Sequence, residues 1–145
     1  VSYLLNHGAN VNAQDAGGYT PLRWAIMNWT PAFHVQGDEE DGDETNNKLM
    51  TELVKVVKLL LGAGANPSPG VPLLHDAVDN GCLEAVQLLL DHGADVYATD
   101  DYDGVTKTAL EAAEAACARK PAPDDDAVAI FELLKTHDAK KQKVE

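Results

Sequence analysis

The sequence is poor in cysteine, with only Cys82 and Cys117 among its 145 residues. Two cysteines cannot build the framework that stabilises small secreted disulfide-rich proteins, and this scarcity indicates a reducing compartment. Each lies in or at the start of an alanine- and leucine-rich helical pattern, which favours small apolar packing groups over reactive nucleophiles. We therefore expect an intracellular protein of the cytoplasm or, alternatively, the nucleus.

Long apolar runs are also missing. No stretch of eighteen apolar residues occurs, and no basic segment followed by an apolar one marks a secretory signal. The sequence therefore predicts neither a membrane span nor export. Because it begins at Val1 rather than at methionine, we expect it to be a piece of a longer protein.

Positive charge is scarce as well. Eleven basic residues stand against 24 acidic ones, which gives a net charge of −13. Such a chain repels phosphate backbones and anionic lipid surfaces, so it predicts no nucleic-acid and no membrane partner and favours basic or neutral ones. An apolar content of 45% is enough for a core, and the length suggests one domain.

Two short phrases recur along the chain. The first, Leu-Leu-Asn-His-Gly-Ala-Asn-Val at residues 4–11, returns at 89–96, with a shorter copy at 60–66 and a decayed one at 133–139. The second, Thr-Pro-Leu-Arg-Trp-Ala at residues 20–25, has partners at 72–77 and 108–113. Alternation of two phrases at a spacing of tens of residues is typical of a repeat protein.

Each phrase has a structural role. Thr20 and Thr108 are suited to cap a helix N-terminus, and the proline or alanine that follows fits the first helical turn. A glycine after a leucine-rich stretch ends a helix in the left-handed conformation, which the sequence predicts at Gly8, Gly64 and Gly93. The segments between carry apolar residues three and four apart, so they predict amphipathic helices.

In these phrases the chain resembles the ankyrin repeat. The family pattern of a Thr-Pro-Leu-His-x-Ala helix start, a turn glycine and a Leu-Leu-x-x-Gly-Ala-Asp-Val ending is matched best from Pro72 to Val96, with His75 and Gly81 in place. The resemblance implies an all-α solenoid of stacked antiparallel helix pairs joined by short finger loops. It also implies that His75 forms a hydrogen bond between neighbouring repeats.

The spacing of the phrases predicts one domain, 1–145, with four parts: the end of a repeat at 1–16, a repeat at 17–68 with an acidic insertion at 30–47, a regular repeat at 69–101, and a C-terminal repeat at 102–145 with a short insertion at 120–126. The first part is an open half-repeat, so we expect an exposed apolar edge and further repeats upstream.

The phrases also place the helices. We expect helices at 1–7, 20–28, 48–63, 72–80, 82–92, 106–119 and 125–136. Both insertions should leave one edge of the solenoid, where nine acidic residues crowd together. Two interpretations stay open: a solvated loop with acids at helix starts, or a docking site for a basic partner.

The sequence does not match any catalytic or metal-binding motif that we considered. The acidic loop around Gly42 lacks the ligand spacing of a calcium-binding hand, because the first and last ligand positions would fall on Gly37 and Lys48. His75 followed by Asp76 resembles part of a metal pair, yet the repeat pattern already explains this histidine. The sequence therefore predicts no catalytic residues, no metal, no cofactor and no enzymatic activity.

The remaining candidate for a functional site is a protein-binding surface. In ankyrin proteins, partners contact the finger tips and the exposed face of the first helix of each pair, which nominates Tyr19, Trp24, Met27, Asn28, Asp76, Asp79, Asn80, Asp101, Tyr102 and Asp103. Trp24 is the leading candidate, because aromatic residues dominate interface energetics. The alternative is that Trp24 packs against Trp29, Phe33 or the inserted loop.

The expected function is a non-catalytic protein-interaction or scaffold module, monomeric, that binds a protein or peptide with basic and apolar groups. The alternative function is a regulatory ankyrin portion of a larger enzyme, channel or transcription regulator that acts within its own chain.

Overall fold

A computed structural model of the chain describes residues 2–28, 42–67, 73–100, 106–119 and 125–143. The described residues form seven helices and one antiparallel hairpin, in the order α1 (Ser2–Asn6), α2 (Pro21–Met27), α3 (Gly42–Gly62), α4 (Leu73–Asp79), α5 (Leu83–Asp91), β1 (Thr99–Asp100), β2 (Lys107–Thr108), α6 (Ala109–Arg119) and α7 (Asp125–Gln142). The fold is all-α. It divides into two compact units, unit 1 at Val1–Asn66 and unit 2 at Pro67–Glu145.

Unit 1 is organised around α2 packed on α3. Thr20 caps α2 by accepting a hydrogen bond from the Arg23 amide at 3.3 Å, and Pro21 occupies the first helical turn, as the sequence predicts. The buried side chains of the two helices and the following turn form one apolar core: Leu22, Ala25, Ile26, Val57, Leu60, Leu61 and Ala65. By contrast, α1 has no buried residue.

In unit 2, α4 packs against α5 and α6, and α7 packs against α5 and α6. The start of α6 is fixed by a reciprocal capping box. The Thr108 amide donates to the Glu111 carboxylate at 2.8 Å, and the Glu111 amide donates back to the Thr108 hydroxyl at 3.3 Å. The core of the unit consists of Leu73, Leu74, Ala77, Val78, Cys82, Ala85, Val86, Leu89, Leu90, Ala94, Val96, Ala109, Ala113, Ile130 and Leu134.

The recurring helix ending closes in the same way three times. Gly8, Gly64 and Gly93 have φ angles of +80°, +91° and +86°, the left-handed conformation that the sequence predicts for them. In each copy the alanine after the glycine donates its amide to the carbonyl five residues earlier, at 3.0, 2.9 and 2.9 Å. This bond satisfies a carbonyl that the helix end leaves unpaired, so one phrase encodes one structure.

The residue that follows this ending joins it to the next one along the chain. The Asn12 side-chain Nδ2 donates to the Gly64 backbone carbonyl at 3.2 Å, and its side-chain Oδ1 accepts the Asn66 backbone amide at 2.8 Å. In unit 2 the equivalent residue is Tyr97, whose hydroxyl donates to the carboxylate of Asp138. Two different side chains therefore make the same kind of connection.

Three helix bounds differ from the sequence expectation. Helix α3 begins at Gly42 rather than at residue 48, and no proline between Pro31 and Pro67 prevents that extension. Helix α6 begins at Ala109 rather than at 106, because Lys107 and Thr108 pair with Asp100 and Thr99. Helix α7 runs to Gln142 rather than ending at 136, because Asp138 stands where the other copies have their terminating glycine.

Candidate protein-binding site

Helix α2 turns two large apolar side chains away from the core of unit 1. Since Leu22, Ala25 and Ile26 face inward, the intervening positions of the seven-residue helix face outward. Trp24 remains 49% exposed and Met27, one turn later, 40% exposed. The pair places an aromatic ring and a flexible thioether side by side on the first helix of its repeat, where the resemblance nominates them.

Asp15 fixes both the finger turn and the indole. One carboxylate oxygen, Oδ1, accepts the Gly17 amide at 2.8 Å and the Tyr19 amide at 2.9 Å. The other, Oδ2, accepts the Trp24 indole N–H at 2.9 Å. The Tyr19 amide foremost, then the Trp24 indole, lowers the pKa of Asp15 below its ordinary value, so the carboxylate is ionised at neutral pH.

Tyr19 and Arg23 complete the arrangement. The ring centroids of Tyr19 and Trp24 are 5.6 Å apart with a tilt of 46°, and the Arg23 guanidinium carbon lies 4.5 Å from the centre of the Tyr19 ring. A Cβ at Gly17 would lie 2.7 Å from that ring, so any other residue at this position would displace the Tyr19 side chain. We call Asp15, Tyr19, Arg23 and Trp24 the Trp24 cluster.

Two members of the Trp24 cluster, Asp15 and Arg23, are absent from the sequence-based list. Asp15 precedes Gly17 and Gly18, and an aspartate before glycines is a turn signal that could have identified it. No comparable signal links Arg23 to the Tyr19 ring. The predicted alternatives for packing Trp24, Trp29 and Phe33, lie outside the described residues.

The other nominated residues lie at several places. Asn28 follows α2 and donates its side-chain amide to the Trp24 carbonyl at 2.7 Å. On α4, Asp76 is half-buried and Asp79 exposed, and Asn80 follows the helix half-buried. Asp101, Tyr102 and Asp103 fall outside the described residues, in the sequence between β1 and β2.

His75 has the structural role that the family resemblance implies. Its side chain is buried on α4, and Nε2 donates to the Lys107 carbonyl on β2 at 2.7 Å. The bond connects one repeat of unit 2 to the finger of the next. Across the parts of the chain that the structure describes, no three histidine, cysteine or acidic side chains are grouped closely enough to hold a metal ion.

The two cysteines behave as packing groups. Cys82 is buried at the start of α5, where its sulfur accepts the Ala85 amide at 3.2 Å. Burial raises the pKa of the Cys82 thiol to about 12, which leaves it protonated and unreactive at neutral pH. Cys117 is half-buried and donates to the Ala127 carbonyl at 3.4 Å.

A family model for ankyrin repeats, which occur in many copies, matches residues 1–28 and 74–113. These segments contain the helix endings at Gly8 and Gly93 and the helix starts at Thr20 and Thr108. The chain carries ankyrin repeats. An ankyrin repeat protein of fowlpox virus is 32% identical to it over 103 residues. That alignment covers 67% of this chain and 13% of the viral protein, so the chain corresponds to a small part of its relative's length.

Ankyrin repeats generally mediate protein–protein interactions, and the family is typically non-catalytic. This general role agrees with an outward-facing aromatic residue on the first helix of a repeat. Among the helices that the structure describes, none is both long and apolar enough to cross a bilayer.

Proposed function

We propose that this chain is a non-catalytic protein-interaction or scaffold module whose binding surface is centred on Trp24 and Met27. The partner is another protein or a peptide with basic and apolar groups. Tyr19 and Asn28 belong to the same unit and are part of that surface. The nominated residues of unit 2 are further candidate contacts in their own unit: Asp76, Asp79, Asn80, Asp101, Tyr102 and Asp103. The net charge of −13 supports a basic partner rather than nucleic acid or an anionic membrane.

The observation that carries this proposal is that Trp24 is both exposed and held in place. An indole 49% open to solvent leaves a large apolar area for a partner to cover. Its hydrogen bond to Asp15 and its contact with Tyr19 limit its rotamers before binding. Ordering an interface side chain costs about 0.5–1.5 kcal/mol, so a side chain already ordered retains more of its contact energy.

The test is a comparison of two exposed apolar residues of unit 1. Trp24→Ala removes the centre of the surface, whereas Leu59→Ala removes a side chain that is 43% exposed on α3, the second helix of the pair. Purified wild type, Trp24→Ala and Leu59→Ala are immobilised, and protein recovered from cell extract is quantified by mass spectrometry. We expect Trp24→Ala to weaken binding roughly 30-fold, equivalent to about 2 kcal/mol at an interface hot spot.

Leu59→Ala should recover the same partners as wild type. Far-ultraviolet circular dichroism of all three proteins checks that they are folded. Equal recovery of every partner by Trp24→Ala and wild type would contradict the proposal, as would an equal loss in both variants.

A second function is favoured by one observation, the length of the viral relative. Since the alignment covers only 13% of that protein, the aligned segment is part of a much longer chain. A regulatory ankyrin portion that acts on another domain of its own chain is therefore our second candidate. Cross-linking of the full-length protein, with a photoreactive residue at position 24, distinguishes the two functions. Cross-links from position 24 to another domain of the same chain support regulation in cis, and cross-links to other proteins support the interaction module.

A further inference from the structure

We propose that Asp15 and Trp24 form a subsite for a single cationic side chain, an arginine or lysine of the partner. This inference rests on the proposed function and specifies the chemistry by which that surface would select its partner. It depends on the acceptor sites of Asp15, the open face of Trp24 and the guanidinium already present in the Trp24 cluster.

Among the described residues, donors occupy all but one of the acceptor positions of Asp15. A carboxylate offers about four lone-pair sites, and three are occupied by the Gly17 amide, the Tyr19 amide and the Trp24 indole. Since Oδ1 receives two of these donors and Oδ2 one, the open position lies on the oxygen beside the indole. Asp15 is exposed, so a donor from a partner can reach it.

The indole supplies the second half of the subsite. Asp15 Oδ2 lies at the edge of the Trp24 ring, because it accepts the indole N–H at 2.9 Å, so a long side chain that donates to this oxygen is within reach of a ring face. Ring faces attract cations whose charge lies within about 6 Å of the ring centre, and tryptophan does so most strongly. One arginine or lysine could therefore donate to the carboxylate and cover the indole together.

Arg23 is an example of a cation bound against an aromatic ring within the Trp24 cluster. Its guanidinium carbon stands 4.5 Å from the centre of the Tyr19 ring, so the face of that ring is already in use. Trp24 has no corresponding cation within the described residues and stays half-exposed. Met27, also exposed on α2, offers an apolar contact to a residue beside the partner's cation.

The test uses three blocked tripeptides, Leu-Arg-Leu, Leu-Gln-Leu and Leu-Glu-Leu, which differ in the charge of the central residue. Binding is followed by the chemical shift of the Trp24 indole N–H, assigned by its loss in Trp24→Phe. We expect the arginine peptide to bind roughly two- to fivefold more tightly than the glutamine peptide, with the glutamate peptide weakest.

Asp15→Asn tests the carboxylate at nearly constant shape. It should remove the preference for arginine over glutamine. Because the variant also loses one of the acceptor oxygens that hold the finger turn and the indole, the quantity compared is the ratio of the two affinities, from which a change common to both peptides cancels. Asp91→Asn removes one exposed carboxylate from α5 of unit 2, so it changes the net charge equally and should keep the preference. Equal affinity for the arginine and glutamine peptides, no shift of the indole resonance, or a preference that survives Asp15→Asn would overturn the proposal.

These outcomes are separate from those of the proposed function. If Trp24→Ala loses its protein partners but wild type does not distinguish the peptides, the interaction surface stands and the cation subsite fails. If the peptide preference holds but Trp24→Ala keeps every partner, the subsite stands and the proposed function fails.

Discussion

Helices α2 and α4 occupy the same position in two repeats, yet their side chains are used differently. Both have seven residues and follow the same helix-start phrase. Helix α4 buries five residues, including His75, while α2 buries three and leaves Trp24 and Met27 exposed. The repeat frame therefore fixes the helix and its inner face, and the remaining positions are available for other roles.

The difference is clearest at the histidine position of the family pattern. In α4 this residue is His75, which is buried and connects two repeats through the Lys107 carbonyl. In α2 the equivalent residue is Arg23, which is half-buried and stacks on the Tyr19 ring of its own finger. One position supports the fold in unit 2 and organises the Trp24 cluster in unit 1.

The largest expected effect is on the free energy of unfolding, and it should differ between a buried copy of the helix ending and an exposed one. Leu89 and Leu4 occupy equivalent positions, but Leu89 is 0% and Leu4 62% exposed. Leu89→Ala should lower the free energy of unfolding by about 3 kcal/mol through lost burial and a cavity. Leu4→Ala should change it by less than about 0.5 kcal/mol. Urea denaturation measures both, and similar losses would show that the two copies are not used differently.

The next largest effect is the loss of stability when His75 is replaced, compared with the loss when Arg23 is replaced. His75→Ala leaves the Lys107 carbonyl without its donor and opens space in unit 2, so the free energy of unfolding should fall by about 2–3 kcal/mol. Arg23→Ala removes a half-exposed cation–ring contact and should cost about 1 kcal/mol or less. Thermal unfolding of both variants checks the order, and a greater loss for Arg23→Ala would contradict it.

The smallest effect is a pH dependence confined to the Trp24 cluster. Because hydrogen bonds lower the folded-state pKa of Asp15, its stabilising contribution is present above the unfolded-state pKa and is lost as the pH falls through the folded-state pKa. The Trp24 indole N–H resonance should therefore stay constant at neutral pH and shift only below about pH 4.

Asp15→Asn is the control for this titration. The asparagine variant should show no such shift in the acid range. A midpoint of the wild-type titration above the ordinary aspartate value would contradict the hydrogen-bond pattern described here.

The sequence was sufficient for the features that depend on local chemistry. Gly8, Gly64 and Gly93 end their helices because only glycine adopts a left-handed φ without strain, and Thr20 caps α2 because its hydroxyl accepts an amide. The bond of His75 to the next repeat followed from the family resemblance and is confirmed. These features belong to phrases that recur along the chain, so a single sequence is enough to identify them.

Features that depend on non-repeating contacts were not predictable. The indole of Trp24 bonds to Asp15, nine residues earlier, only because the finger turn brings them together. The extension of α7 to Gln142 reflects the absence of a terminating glycine, and an absent signal does not say where a helix ends. The exposed aromatic residue was therefore identified from the pattern, whereas its surroundings required the structure.

We propose that the exposed face of α2 binds a partner, while residues such as His75 maintain the repeat frame. The most direct test of this proposal is isothermal titration calorimetry of a captured, purified partner with wild type and with Trp24→Ala. Urea denaturation of both proteins compares their stability. We expect the dissociation constant to rise at least about tenfold in Trp24→Ala, while the lost contacts with Asp15 and Tyr19 lower the free energy of unfolding by only about 1–2 kcal/mol and leave the variant folded. An unchanged dissociation constant would contradict the account.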